Sequence, residues 1–433
     1  MAQREKYALL ADDLSGALEV GAAFYSIGLR TRVVLQAADG SFNTADSGFD
    51  CLVYDTESRH KPEAEALNRV EKALQAIDNA GRKLIYKKID STLRGHLAAE
   101  LLLLQKHRPE QVIIVNPANP KAGRTVQGGV LYVHGKAVAE TDFAHDPMCP
   151  INESRIDRIL RHGGFHSMTA LDLRLIRSGQ ERLTRFVEHA ADDGMQLALA
   201  DCVREADMHI VARAAGALKQ DAILVGSGGM AHALAATFAA TEKPKLPTSK
   251  TASTPPLYII GSPQKNNREQ ARELAKTYGL PICPVKVGED LRADSDDAEV
   301  GLAKAEEISA ALTSSKEGAI FILDQAGSEK LDATRLIRFL GELVQTVHEK
   351  CGLSRLFLTG GETAREVLER FQISRLEIAE EIEEGIVGAM ASGDDCGLRV
   401  VIKPGGFGSA SSLLRVHAWL WHNMDHQTER RGT

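Results

Sequence analysis

Two adjacent carboxylates, Asp12 and Asp13, close the apolar run YALLA at a point where a helix begins. Many nucleotide-binding folds put glycines at that first strand-to-helix turn, because free backbone N–H groups there hold phosphate. Two negative charges repel phosphate. They suit accepting hydrogen bonds from sugar hydroxyls, or taking a proton from one. The plainer alternative is helix capping, with Ser15 as the N-cap or one aspartate assisting.

Other polar clusters follow apolar stretches in the same way. DTESR (55–59) brings Arg59, whose planar fork can grip a carboxylate. KKIDSTLRGH (87–96) crowds Lys87, Lys88, Asp90, Ser91, Thr92 and Arg94 into eight positions. That mixture of charge and hydroxyl suits a small ligand that itself carries a carboxylate and hydroxyls. NPANPKAGRTVQGG (116–129) adds Arg124. In an open parallel sheet ligands collect at the carboxyl ends of the strands, so four such clusters at one sheet edge predict a binding site.

Past residue 257 the post-strand residues change character. GSPQKNN (261–267), TGGET (359–363) and KPGGFG (403–408) are small, glycine-rich turns. Such turns expose backbone N–H groups and form anion-binding concavities, and helix N-termini reinforce them. None fits the G-x-x-x-x-G-K-[ST] or G-x-G-x-x-G pattern. Together they predict a nucleotide site. GSGGM (226–230) is a fourth turn of this kind and reads as a close backbone approach to the ligand.

The elements that must carry these turns are short apolar strands alternating with amphipathic helices. Strands are predicted at 6–11, 51–55, 84–87, 111–115, 196–201 and 221–226, with helices at 62–80 and 230–240. TEKPKLPTSKTASTPP (241–256) holds four prolines and almost no large apolar residue, which marks a linker. The strand rhythm then restarts at 257–262, 282–287, 319–324, 356–361 and 398–403. The fold class expected is α/β, with two domains, each a mainly parallel sheet flanked by helices, and an active site in the cleft between them. The boundaries expected are 1–245 for the first domain, 246–256 for the linker and 257–433 for the second.

Bulk properties narrow the partners. The 433 residues are 43% hydrophobic and 26% charged, with a formal net charge of −7. That balance argues against a general nucleic-acid binder, which needs a basic surface. No apolar run approaches the ~20 residues of a membrane span, and no secretory signal is legible, so a cytoplasmic protein is expected. Six scattered cysteines without a C-x-x-C pair point to reduced thiols and not to a disulfide framework or zinc site.

Taken together, ADDLSGA, KKIDSTLRG, NPANP…GRTVQGG, GSGGMA, LTGGETA and IKPGGFG resemble the four-carbon acid sugar kinase family, in order and over nearly the whole chain. The resemblance implies an N-terminal domain that binds a sugar acid and a C-terminal domain that binds ATP. Asp12, Arg59, Lys88, Asp90, Ser91, Thr92 and Arg94 would hold the sugar acid. Ser262, Gly360, Gly361, Glu362, Thr363, Gly405 and Gly406 would hold ATP, with Mg²⁺ on its phosphates and metal ligands left open. Arg59 is the first choice for the substrate carboxylate, and Asp12 or Asp90 would orient or deprotonate the attacking hydroxyl. The expected reaction is phosphorylation of the terminal 4-hydroxyl of D-threonate, D-erythronate or a 3-oxo-tetronate. A homodimer is the default assembly. Ser15 stands where the family often has Thr, GSGGMA departs from the usual G-S-A-G-L-A, and LEVGAAFYSIG is less typical. The rivals are a non-catalytic sensor for ATP and a sugar acid, and an aspartyl phosphatase, against which the missing D-x-D spacing speaks.

Overall fold

The computed structural model describes residues 5–37, 39–44, 48–146, 148–244, 254–262, 264–325, 331–391 and 397–421. The chain divides into two compact units, Met1–Pro244 and Lys245–Thr433. Most of the predicted linker, residues 246–253, lies outside the described residues.

The first unit is built on strands β1 (Tyr7–Ala11), β2 (Thr31–Leu35), β3 (Cys51–Asp55), β4 (Lys83–Lys88) and β5 (Val112–Asn116). An antiparallel ribbon follows, β6 (Arg124–Gln127), β7 (Val130–Val133) and β8 (Lys136–Ala137), and then β9 (Met168–Leu171), β10 (Leu197–Ala200) and β11 (Ala222–Gly226). Eight of these strands are parallel, in the order β2-β3-β1-β4-β11-β5-β10-β9. β2, β3 and β10 are buried at every position. Both sheet faces are therefore covered, which is why these strands read as continuous apolar runs and not as alternation. From β1 the chain winds to β2 and β3 on one side, then crosses to β4 on the other. The strand-end crevice between β1 and β4 is thus a topological switch point, where helices diverge and leave room for a ligand.

The second unit carries β12 (Leu257–Ile260), β13 (Ile282–Lys286), β14 (Ala319–Asp324), β15 (Arg355–Thr359), β16 (Arg375–Glu383), β17 (Ile386–Ala391) and β18 (Arg399–Lys403). Their order is β13-β14-β12-β15-β18-β17-β16. The first five in that order are parallel, and β17 runs antiparallel to β18 and β16. Here the winding reverses between β12 and β15, so the second switch point lies beside Gly261 and Gly360.

The α/β class with mainly parallel sheets matches the expectation, and the details correct it in places. The strand pattern missed β2, β9, the ribbon β6–β8 and the hairpin β16–β17. LEIAEEIEE is rich in residues that favour helix, and strand pairing, with β17 among its partners, holds it extended. Ser15 is not the N-cap: Asp13 caps the helix Leu14–Ser26 by accepting from Gly16 N at 3.0 Å, and Ser15 lies inside it. The helix predicted at 230–240 runs Gly228–Ala235.

The two lysines of β4 part company because successive strand side chains point to opposite faces. Lys87 is fully buried, its Nζ 2.5 Å from Glu100 Oε2, while Glu100 Oε1 accepts from Ser58 Oγ at 2.6 Å. Lys88 faces the other way. Lys87 therefore belongs to the scaffold. Removing one partner of a buried ion pair strands the other charge, so Glu100→Ala is expected to cost about 3–5 kcal/mol of stability, read from urea unfolding midpoints.

Candidate active site

In the first unit the switch point gathers the ends of β1, β3 and β4. Arg59 approaches Asp12 in a two-pronged pair, Nε to Oδ2 at 3.0 Å and Nη2 to Oδ1 at 2.7 Å. Nη2 also reaches Asp13 Oδ1 at 2.7 Å. The backbone repeats the tie, since Ser58 N and Arg59 N both donate to Asp12 O. Asp12 and Arg59 are both buried. Burial alone would raise the Asp12 carboxyl; the Arg59 charge and hydrogen bonds, with Lys88 behind them, outweigh it and hold Asp12 below its usual range.

Asp90, after β4, organises its own turn. Its Oδ2 accepts from Thr92 N at 3.2 Å, from the Thr92 hydroxyl, and from Arg94 N and Nε at 3.4 and 2.9 Å. Its Oδ1 takes Arg94 Nη2 at 3.1 Å. Burial opposes ionisation here too, and Arg59 and Arg94 overcome it, so Asp90 is held far below the ordinary carboxylate range. Leu93, in the middle of this turn, has φ of +70°, and Glu57 in the neighbouring loop has φ of +47°. Two non-glycine residues in the left-handed region border the same crevice, where backbone strain commonly collects.

The predicted sugar-acid residues are thus brought together, but with unequal freedom. Arg59 is engaged by Asp12 and Asp13 within the protein. Arg94 lies between Asp90 and Asp146, its Nη1 3.2 Å from Asp146 Oδ2. Ser91 is half-buried at the turn. Among the described residues Lys88 meets only a longer contact, 3.5 Å, to Glu19 Oε2. Arg124, at the start of β6, donates Nη1 to Ala122 O at 2.5 Å, yet its Nε is buried without a partner. Arg124 feels the charges of Asp90, Arg94 and Glu19. Asp146 and Glu19 escaped the sequence reading. Glu19 left a signal, being the only charged residue in LSGALEVGAAFYS. Asp146 left none, because a lone acid in a loop is unremarkable by type.

In the second unit the three glycine turns converge. Thr359 Oγ1 accepts from Gly261 N at 3.0 Å and from Ser262 N at 3.3 Å, tying the end of β12 to that of β15. Gly360 caps the helix Gly361–Arg370 with φ of +92°, a conformation natural to glycine, and Glu362 and Thr363 form the first turn. A Cβ on Gly405 would stand 2.7 Å from Ser262 Oγ, and one on Gly406 3.2 Å from Gln264 Oε1. Beneath the last turn lies Lys403, fully buried. Its Nζ donates to Asn267 Oδ1 at 2.6 Å and Phe407 O at 2.8 Å, and more loosely to Gly405 O and Pro404 O. One ammonium thereby fixes the carbonyls of the turn. Burial pushes Lys403 down to about 8. This is a small-residue cradle at a helix N-terminus, an arrangement whose backbone N–H groups suit an anion.

Residues 7–234 match the sugar-binding N-terminal domain family and residues 257–413 the nucleotide-binding C-terminal domain family. A D-threonate kinase of Bordetella bronchiseptica is 32% identical over 94% of this chain and 96% of its own length. The chain belongs to the four-carbon acid sugar kinase family. Members of this kinase family are phosphotransferases with a hydroxyl acceptor. A D-threonate kinase of Salmonella typhimurium is 29% identical over 94% of this chain and 96% of its own. A 3-oxo-tetronate kinase of Pseudomonas fluorescens is 26% identical, covering 92% and 93%. Solved structures share the fold: a Salmonella typhimurium protein superposes with a TM-score of 0.81 at 22% identity, covering 95% of this chain and 98% of that one. A Haemophilus influenzae protein gives 0.73 at 19%, covering 95% and 100%.

Lys403→Met removes the brace under the glycine turn. Amide hydrogen exchange of residues 405–408 is expected to speed up at least about tenfold while the first unit's amides keep their protection, since the loss is a local opening.

Proposed function

We propose that this chain is an ATP-dependent kinase that transfers the γ-phosphoryl group to the 4-hydroxyl of a four-carbon sugar acid, with D-threonate the first candidate. The observation that carries the reading is the opposite chemistry of two strand-end crevices. One is lined by carboxylates, hydroxyls and cations, the other by glycine turns around a helix N-terminus. Three relatives at 29–32% identity are named D-threonate kinases, against 25% for one named D-erythronate kinase and 23–26% for those named 3-oxo-tetronate kinases. In this reading residues 1–245 are the sugar-acid-binding domain, 246–256 the linker and 257–433 the nucleotide-binding domain.

Phosphoryl transfer asks for alignment and charge stabilisation more than for a strong base. Asp12 suits that task better than Asp90. A carboxylate offers about four lone-pair sites. Arg59 takes one on each Asp12 oxygen and leaves the rest for a substrate hydroxyl, whereas Asp90 Oδ2 already receives four donors from Thr92 and Arg94. Asp12 therefore orients the attacking hydroxyl, Arg59 positions Asp12, and Asp90 shapes the turn that presents Lys88 and Arg94. The substrate carboxylate falls to the less engaged cations, Lys88 and Arg124. Ser262, Gly360–Thr363 and Gly405–Gly406 hold the ATP phosphates. Mg²⁺ fits as a companion of those phosphates: no group of three or more His, Cys, Asp or Glu among the described residues forms a cage, and Mg²⁺ often keeps several waters and one or two carboxylates. When bound it would neutralise phosphate charge.

The test is ADP release with Mg-ATP against D- and L-threonate, D- and L-erythronate and their 3-oxo forms, with C5 and C6 acids as controls. Strong turnover on one C4 acid is expected; ATP binding with no turnover on any of them would favour the sensor. Asp12→Asn is expected to lower kcat by about 10²-fold or more with the KM for ATP unchanged. The ordinary carboxyl value of 3.8 is lowered at Asp12, so its charge is complete above that value and is lost only as pH falls below it. An acidic limb of kcat between pH 6 and 8 that disappears in the Asn variant would therefore contradict this role.

A further inference from the structure

Glu19 is an acceptor with one distant donor among the described residues. Its side chain is only 15% exposed. Its one polar contact among the described residues is Lys88 Nζ, at 3.5 Å, longer than a charge-assisted hydrogen bond of about 2.7–2.9 Å. A partly buried carboxylate with a single cation at that distance can accept further hydrogen bonds. The neighbours place the carboxylate in the crevice already described. Lys88 ends β4. Gly228, which follows β11, comes so close that a Cβ there would stand 1.8 Å from Glu19 Oε1. Arg124 feels its charge as well. Glu19 thus sits beside the Lys88 cation and within electrostatic reach of Arg124, and its oxygens have acceptor capacity to spare.

We propose that Glu19 receives the 3-hydroxyl of the acceptor substrate, and that this contact makes the enzyme prefer a hydroxy acid to the corresponding 3-oxo acid. The inference rests on the sugar-acid kinase reading. An ionised carboxylate only accepts. A hydroxyl donates to it, but a ketone oxygen is another acceptor. A ketone could accept a hydrogen bond from Lys88 but would bring Glu19 no donor in place of the water it displaces, which is costly. Sites built to hydrogen-bond a hydroxyl reject analogues lacking it far more strongly than apolar pockets reject a missing methylene. Asp12 cannot supply the discrimination, because it addresses the 4-hydroxyl that oxo and hydroxy acids share.

The experiment compares kcat/KM of wild type and Glu19→Gln on D-threonate, its 2-deoxy and 3-deoxy analogues and the 3-oxo acid, with saturating Mg-ATP. The amide keeps the shape and can donate as well as accept. In wild type, the 3-deoxy analogue should lose at least about tenfold relative to D-threonate, and the 2-deoxy analogue should not. In Glu19→Gln that loss should shrink several-fold, and the preference for D-threonate over the 3-oxo acid should fall at least about tenfold, with the KM for ATP unchanged. Equal losses on all four acids, or no change on any, would overturn the proposal and assign Glu19 to holding Lys88. If Glu19→Gln does not fold, Glu19→Asp, which withdraws the carboxylate by one methylene, should give the same redistribution among substrates. A wild type inactive on every C4 acid would instead remove the kinase reading on which the inference stands.

Discussion

The first unit depends on one buried ion pair. Asp12 and Arg59 leave the ends of neighbouring parallel strands, and both are enclosed. Neither charge would tolerate that enclosure alone, because desolvating an ion costs several kcal/mol. The two-pronged geometry offsets that cost and fixes the distance between the strand ends. Backbone bonds from Ser58 and Arg59 to Asp12 O repeat the constraint. Every other charge at the crevice is arranged around that fixed point. Asp13 shares Arg59 and caps its helix, and Asp90 and Arg94 neutralise each other across one turn. What remains is a polar floor with a few open valences, at Asp12, Lys88, Glu19 and Arg124.

The second unit solves a different problem with different means. A polyanionic ligand needs donors, and backbone N–H groups supply them without side-chain bulk or side-chain entropy. The cost is that glycine turns are floppy unless tied down. Thr359 ties one strand end to another with a single hydroxyl, and Lys403 ties the KPGGFG turn from below. Lys403 thus acts through the backbone it braces, with its charge directed into the scaffold. The two units share a fold principle, a parallel sheet with a switch point, and differ in what their turns contain.

Much of the site was legible as residue types. The acids after β1, the mixed turn after β4 and the three glycine turns were each visible as polar or small residues that follow an apolar run, and parallel-sheet logic puts such residues at one edge. Partnership was not legible. Arg59 looked like a free fork for a substrate carboxylate, and whether a guanidinium faces solvent or a neighbouring strand end depends on contacts between residues 47 positions apart. By residue type Lys87 and Lys88 looked equivalent, though the family resemblance picked out Lys88, and the strand pleat sends Lys87 into the scaffold and Lys88 to the crevice. Ser15 looked like a cap because its type allows it, but Asp13 has the extended backbone that a cap requires.

By itself the sequence determined the class of the fold, the order of its strands along the chain and the chemical character of each strand-end turn. Those follow from apolar runs, loop composition and local turn chemistry, all of which act over a few residues. The tertiary structure decided the order of strands in each sheet, and hence where the winding reverses and which turns share a crevice. It also decided which charges are spent on one another and which, such as Glu19, keep an open valence. Those outcomes turn on distances between segments far apart in sequence, and neither period nor composition encodes such distances.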